Sequence, residues 1–128
     1  MEVKTSTKEK YHVISVETAE LAANMTDELY NLLQQYLKSD VRNIVLNLEN
    51  VKALDEEIGE CLVKTQQQFY ENEASFVICQ LSPAVEEYLD DKDLLELLNA
   101  TPTESEASDI VQMEEIEREL LGEEDDYT

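Results

Sequence analysis

Residues 41–62 read Val41-Arg42-Asn43-Ile44-Val45-Leu46-Asn47-Leu48-Glu49-Asn50-Val51-Lys52-Ala53-Leu54-Asp55-Glu56-Glu57-Ile58-Gly59-Glu60-Cys61-Leu62, and two periods meet inside this stretch. Ile44-Val45-Leu46 is short, apolar and β-prone, which predicts a buried strand over 43–48. Beyond a polar loop, Ile58, Cys61, Leu62, Thr65 and Phe69 recur at helical spacing and form one apolar face. Asp55 precedes that face as a natural N-cap. Glu56 and Glu57 follow in the first turn, where the helix dipole favours negative charge. A strand, a loop and a capped helix in this order are one crossover unit of an α/β sheet.

The pattern extends in both directions. Upstream, Tyr11 to Val16 is rich in β-branched and aromatic residues and predicts a strand. Val3 to Thr7 is a weaker strand, with Glu9-Lys10 as the turn of an amino-terminal hairpin. Leu29, Leu32, Leu33, Tyr36 and Leu37 predict a first helix with Asn24 as its N-cap. Downstream, Ser75 to Leu81 reads as a third core strand. Ser82-Pro83 opens a helix, with Ser as cap and Pro at the first helical position, and Val85, Tyr88 and Leu89 are its buried face. Asp91 to Leu98 continues as a short leucine-rich helix or turn. Thr101 to Thr103 is extended because Pro102 biases its predecessor away from helix. Thr103-Glu104-Ser105-Glu106 is a capping box. It starts a final helix with the stripe Ala107, Ile110, Met113, Ile116 and Leu120, and Gly122 is its expected stop. The order is β-β-α-β-α-β-α, then a last helix. This predicts one α/β domain over residues 1–121, with a mixed sheet of four to five strands and helices mostly on one face. The acidic residues 122–128 are expected to form a disordered tail.

Composition narrows the function. The 128 residues carry 31 acidic and 9 basic side chains, a formal net charge of −22, with an apolar fraction of 42%. The length suits one domain, and the apolar fraction allows an ordinary core. The charge argues against a nucleic-acid binder and against docking on an anionic membrane surface. No apolar run approaches the ~18 residues of a membrane-spanning helix. Met1 to Thr7 has no apolar signal segment, so a cytoplasmic protein is expected. Two glycines in the whole chain leave no phosphate-cradling loop. The charge is uneven: residues 1–64 balance to −5 and residues 65–128 to −17, of which −10 lies in 103–128. A like-charged end of this kind is a solvated terminus or a docking arm.

Several pieces in register resemble the STAS domain, the family of bacterial anti-sigma factor antagonists. That family's signature is a strand, a short loop and an Asp-Ser-Ser/Thr-Gly-like turn opening a helix. Asp55 falls on the signature aspartate, and Leu46-Asn47-Leu48 stands where the family has Asp-Leu after the strand. Leu21-Ala22-Ala23-Asn24 is similar to its Leu-Asp-x-x-Asn segment, with Ala22 where the aspartate would be. Gln80-Leu81-Ser82-Pro83 looks like its Leu-Ser-Pro entry to the third helix, and Leu94 to Leu98 like the leucine-rich stretch that follows. The resemblance spans about residues 2–115. It implies a STAS-type fold, no catalysis, no cofactor, and a role in bacterial transcription regulation through a protein partner, an anti-sigma factor or histidine-kinase-like regulator.

One departure bears on that role. In phosphoregulated members, the residue after the signature aspartate is a serine or threonine that the partner kinase phosphorylates. Glu56 stands there, and Glu57 follows. A carboxylate accepts no phosphate in that switch, and it carries one charge where phosphoserine carries about −1.5 to −2. The resemblance thus implies a permanently charged or unswitched member. Ile58 also stands where the family has its glycine, one step before Gly59. The partner-binding residues expected on this reading are Asp55, Glu56, Glu57 and Glu60 at the start of the second long helix, with Asn24 and Asn47 in loops beside it. The alternative is a STAS-like structural subunit of a transporter or signalling complex, gripped through its acidic carboxy-terminal helix.

Catalytic readings find little to stand on. Cys61 lies near a helix start, but the neighbouring acids oppose a thiolate and its spacing turns it inward. Cys79 is a strand residue in an apolar run. His12, the single histidine, sits in a strand without a recognisable partner. One His and two separated Cys give no zinc spacing. Asp90-Asp91-Lys92-Asp93 lacks the glycine and the spacing of a calcium loop, so no metal site is expected.

Overall fold

The structure, a computed structural model, describes residues 1–126. Strand β1 (Val3–Thr7) turns through Glu9-Lys10 into β2 (Tyr11–Val16). A two-residue strand β3 (Glu20–Leu21) leads through a 3₁₀ turn (Ala23–Met25) into α1 (Thr26–Gln34). Then come β4 (Asn43–Asn47), the two-residue β5 (Ala53–Leu54), α2 (Glu56–Glu71), β6 (Phe76–Cys79), α3 (Pro83–Asp91), β7 (Ala100–Thr101) and α4 (Glu104–Asp126). The main sheet runs β1-β2-β4-β6-β7. Its first pair is antiparallel, as a hairpin requires, and the other three are parallel. The expected mixed sheet is therefore present with five strands.

Alternation along the strands sorts the core into two layers. Ile14, Val16, Ile44, Leu46, Phe76 and Ile78 point to one face, where they pack with Leu29 and Leu33 of α1, Ile58, Leu62 and Phe69 of α2, and Val85 and Leu89 of α3. Val13, Val45, Val77 and Cys79 point to the other face, where Ala107 and Val111 of α4 cover them. Three long helices thus share one face, and the acidic last helix has the opposite face to itself. Gly59 is where α2 runs closest to the neighbouring leucines. A Cβ there would come within 2.8 Å of Leu94 Cδ1 and 3.0 Å of Leu89 Cδ2. Ile58, the residue in the family's glycine position, is fully buried instead.

Three local expectations are corrected. Asn24 does not cap α1: it lies exposed inside the 3₁₀ turn, and α1 starts at Thr26 after Met25, which makes no side-chain cap. The stripe expected for α4 does not form one buried face. Ala107 is buried and Ile110 partly so, but Met113, Ile116 and Leu120 are exposed, and Val111 is buried in their place. Successive steps of three residues drift about 60° round an α-helix, so that stripe starts against the sheet and ends facing away from it. Polar anchors fix this rotation. Ser75 donates to Glu114, while Arg118 donates to Ser75, Asn43 and Glu115. The helix also continues to Asp126, past the stop expected at Gly122, and Tyr127 and Thr128 of the expected tail lie outside the described residues.

Candidate functional site

The site is built where two helices begin side by side. β3 and β5 pair in parallel, Glu20 with Ala53 and Leu21 with Leu54, and this short ladder lies outside the main sheet. Lys52 N donates to Ala19 O at 2.7 Å and Asp55 N to Leu21 O at 2.9 Å. The segment before α1 and the segment before α2 are thereby held together.

Asp55 occupies the N-cap position of α2 with extended backbone, but its side chain makes no bond to its own helix. Its Oδ2 instead accepts from Ala23 N at 2.7 Å, satisfying a donor of the 3₁₀ turn. Asn24, next in the chain, is exposed beside this bond. Glu56 is the first residue of α2. Glu56, Glu57 and Glu60 are all exposed, and among the described residues no hydrogen bond or ion pair engages their carboxylates. Asp27 and Glu28 lie in the first turn of α1. Two helix starts therefore carry two acids each, where the dipole favours each by about 0.3–1 kcal/mol. Further along the groove between these helices, Lys64 Nζ sits 4.8 Å from the centre of the Tyr30 ring, and Gln68 donates to the Tyr30 hydroxyl at 2.6 Å.

Asn47 does not join this cluster. It is 8% exposed and bonded within the fold: its amide donates to Gln80 and Glu104, and its carbonyl accepts from Glu49 N. Its odd position in β4 turns it toward α4, away from the start of α2. The structure places Asn24, Asp55, Glu56, Glu57 and Glu60 at one end of the fold, around the start of α2. Sequence reasoning missed the α1 acids Asp27 and Glu28, whose proximity to the α2 acids depends on the two-residue β3–β5 ladder.

The remaining reactive groups are built into the fold. Burial pushes the Cys61 thiol above its ordinary value, and the Thr65 hydroxyl and the Lys64 charge only partly offset this. Burial, reinforced by Glu104 and Glu49, pushes Cys79 up to about 12. His12 has partners after all: its Nδ1 is 2.9 Å from Thr7 Oγ1, its Nε2 is 2.9 Å from Val41 O, and its ring packs on Tyr36. Among the described residues no three His, Cys, Asp or Glu side chains cluster as metal ligands, and no helix is long and apolar enough to cross a membrane.

The STAS domain family model matches residues 5–107. The chain belongs to the STAS domain family. Solved structures share this STAS fold at low identity. An anti-sigma factor antagonist from Mycobacterium paratuberculosis is 17% identical, with a TM-score of 0.74 over 87% of this chain and 93% of that one. The anti-sigma factor antagonist SpoIIAA in its unphosphorylated form is 17% identical, with a TM-score of 0.68 over 87% and 96%. The anion transporter Slc26a9 of mouse, in its inward-facing state, is 10% identical, with a TM-score of 0.68 over 81% of this chain and 18% of the transporter.

Proposed function

We propose that this STAS domain acts as an anti-sigma factor antagonist-like binding module, without catalysis, in cytoplasmic transcription regulation. On this reading the partner is an anti-sigma factor or kinase-like regulator. It grips the start of α2 through Asp55, Glu56, Glu57 and Glu60, with Asn24 at the rim. Asn47 is withdrawn from the contact set because its side chain is buried and fully engaged. One observation carries the reading: a carboxylate with no ion pair among the described residues stands as the first residue of α2, over a turn clamped by the Asp55–Ala23 bond. A like arrangement suits a partner with basic groups at its contact, where charge sets choice and on-rate more than raw affinity.

Glu56 also makes the charge permanent. SpoIIAA has been solved in unphosphorylated and phosphorylated forms, so a protein of this fold exists in two charge states. In this chain the position after Asp55 accepts no phosphate, and the partner would meet one charged state only. Affinity capture from native lysate, with the intact bait weighed, tests this. Wild-type protein should retain a partner and show no phosphate gain. Glu56→Ser and Glu57→Lys should change the retained amount with little loss of stability. Equal retention by both variants would move the site elsewhere, and a phosphate on the wild-type bait would overturn the permanent-charge reading.

A second reading rests on the likeness to part of a transporter: constitutive attachment to a larger assembly. Truncation after Thr103 would test it poorly, because removing α4 uncovers Val13, Val45 and Val77. Surface substitutions on α4 are the cleaner instrument.

A further inference from the structure

The outward face of α4 carries three exposed apolar side chains, and among the described residues no other element covers them. Met113, Ile116 and Leu120 are 61%, 56% and 54% exposed. They lie about 180° round the helix from Ala107, Val111 and Arg118, which face the sheet. α4 is thus a helix with two working faces, one already used by the fold. Single exposed apolar side chains need no explanation, and Tyr70, Leu97 and Leu121, which lies about 100° round α4 from the other three, are of that kind. Three in register along one helix do.

The spacing of three then four residues, Met113 to Ile116 to Leu120, is that of positions a, d and a of a heptad. In that frame Glu117 takes position e and Glu119 position g, the two that flank a coiled-coil seam, and Arg118 takes position f, the farthest from it. The seam is therefore apolar and its shoulders are acidic. A second copy of this chain is a poor occupant. Antiparallel pairing sets each of these acids against its own kind, and parallel pairing offers Glu117 only Gln112, so neither orientation brings a basic residue to the shoulders. Like charges at these positions select against self-pairing. An anionic lipid surface is disfavoured by the same charge.

We infer that α4 presents a two-turn seam for an amphipathic helix of a protein partner, with apolar a and d positions and Lys or Arg at e and g. This surface lies on the opposite face of the sheet from α1, α2 and α3, so it stands or falls separately from the α2 site.

The probe is a labelled synthetic peptide of about three heptads with Leu at a and d and Lys at e and g. It is titrated into the full chain by fluorescence anisotropy beside two others. One has Ser at a and d with the same lysines; the other has Leu at a and d with Glu at e and g. The Leu/Lys peptide should bind saturably, and the other two at least about tenfold more weakly. Combining Met113→Ser, Ile116→Ser and Leu120→Ser should weaken it by a similar factor, with unchanged circular dichroism and melting. Combining Glu117→Lys and Glu119→Lys should switch preference to the Glu-flanked peptide. Glu56→Lys should leave all three titrations unaltered. Equal binding of the Ser/Lys peptide, or equal binding by the triple variant, would mean charge alone and would overturn the inference. So would sedimentation showing a dimer of the chain that the triple variant abolishes, which would make a second copy the occupant.

Discussion

Asp55 works across the site rather than within its own helix. Its carboxylate satisfies Ala23 N while its backbone NH satisfies Leu21, so one residue ties both helix starts together. Asp55→Ala should lower the unfolding free energy by about 0.5–1 kcal/mol, the usual range for an exposed side-chain bond to a turn donor that water can replace. Urea denaturation reads this, and Asp55→Asn should recover part of it. Glu115 is the residue with a legible pH dependence. Burial pushes its carboxyl up, but hydrogen bonds from Asn43 and Arg118, with the Arg118 and Lys10 charges, outweigh burial and hold it below the usual range. A depressed folded value means that Glu115 stabilises the fold at neutral pH. That contribution is lost as pH falls from about 4.5 through the lower folded value. Glu115→Gln should therefore destabilise at pH 7 and flatten the acid limb of a stability–pH curve. A parallel downward shift at all pH values would assign its effect to shape alone. The thiols are inert by the same local logic. With burial raising both, Cys61 and Cys79 should resist alkylation at pH 8 in the native protein and react together in urea.

At the scale of elements, local signals were legible and non-local ones were not. β2, β4 and β6 were readable because short β-branched runs bury on both sheet faces. The caps at Ser82 and Thr103 were readable because capping is a matter of three residues: Val85 N bonds Ser82 Oγ at 3.4 Å and Glu106 N bonds Thr103 Oγ1 at 3.1 Å. β3 and β5 were invisible, since two residues have no period. With them went the true start of α1, which depends on Asp55 from 32 positions away. Asn47 was misjudged because its partners, Gln80 and Glu104, come from the β6–α3 turn and from α4. The rotation of α4 was misjudged because Ser75 and Asn43 pull Glu114 and Arg118 inward, a preference that an apolar stripe does not record. Gly59 marks the tightest packing between elements. Gly59→Val should cost about 1–3 kcal/mol by overpacking against Leu89 and Leu94, read as a lower urea midpoint.

At the scale of the molecule, the sheet separates two unlike surfaces. One end of the α1–α3 layer gathers acids at two helix starts, of which Glu28 pairs with the Met1 ammonium at 3.1 Å while Glu56, Glu57 and Glu60 have no ion pair among the described residues. The far face carries α4 with its apolar seam between acidic shoulders. A net charge of −22 keeps copies apart and favours basic partners at either surface, with binding that weakens as salt rises. The measurement that bears most directly on the central claim is a titration of the captured partner with wild-type protein and with Glu56→Lys, at matched salt, beside urea curves of both. The account predicts a dissociation constant at least about tenfold weaker for the variant, with an unchanged unfolding midpoint. An unaltered dissociation constant would contradict it.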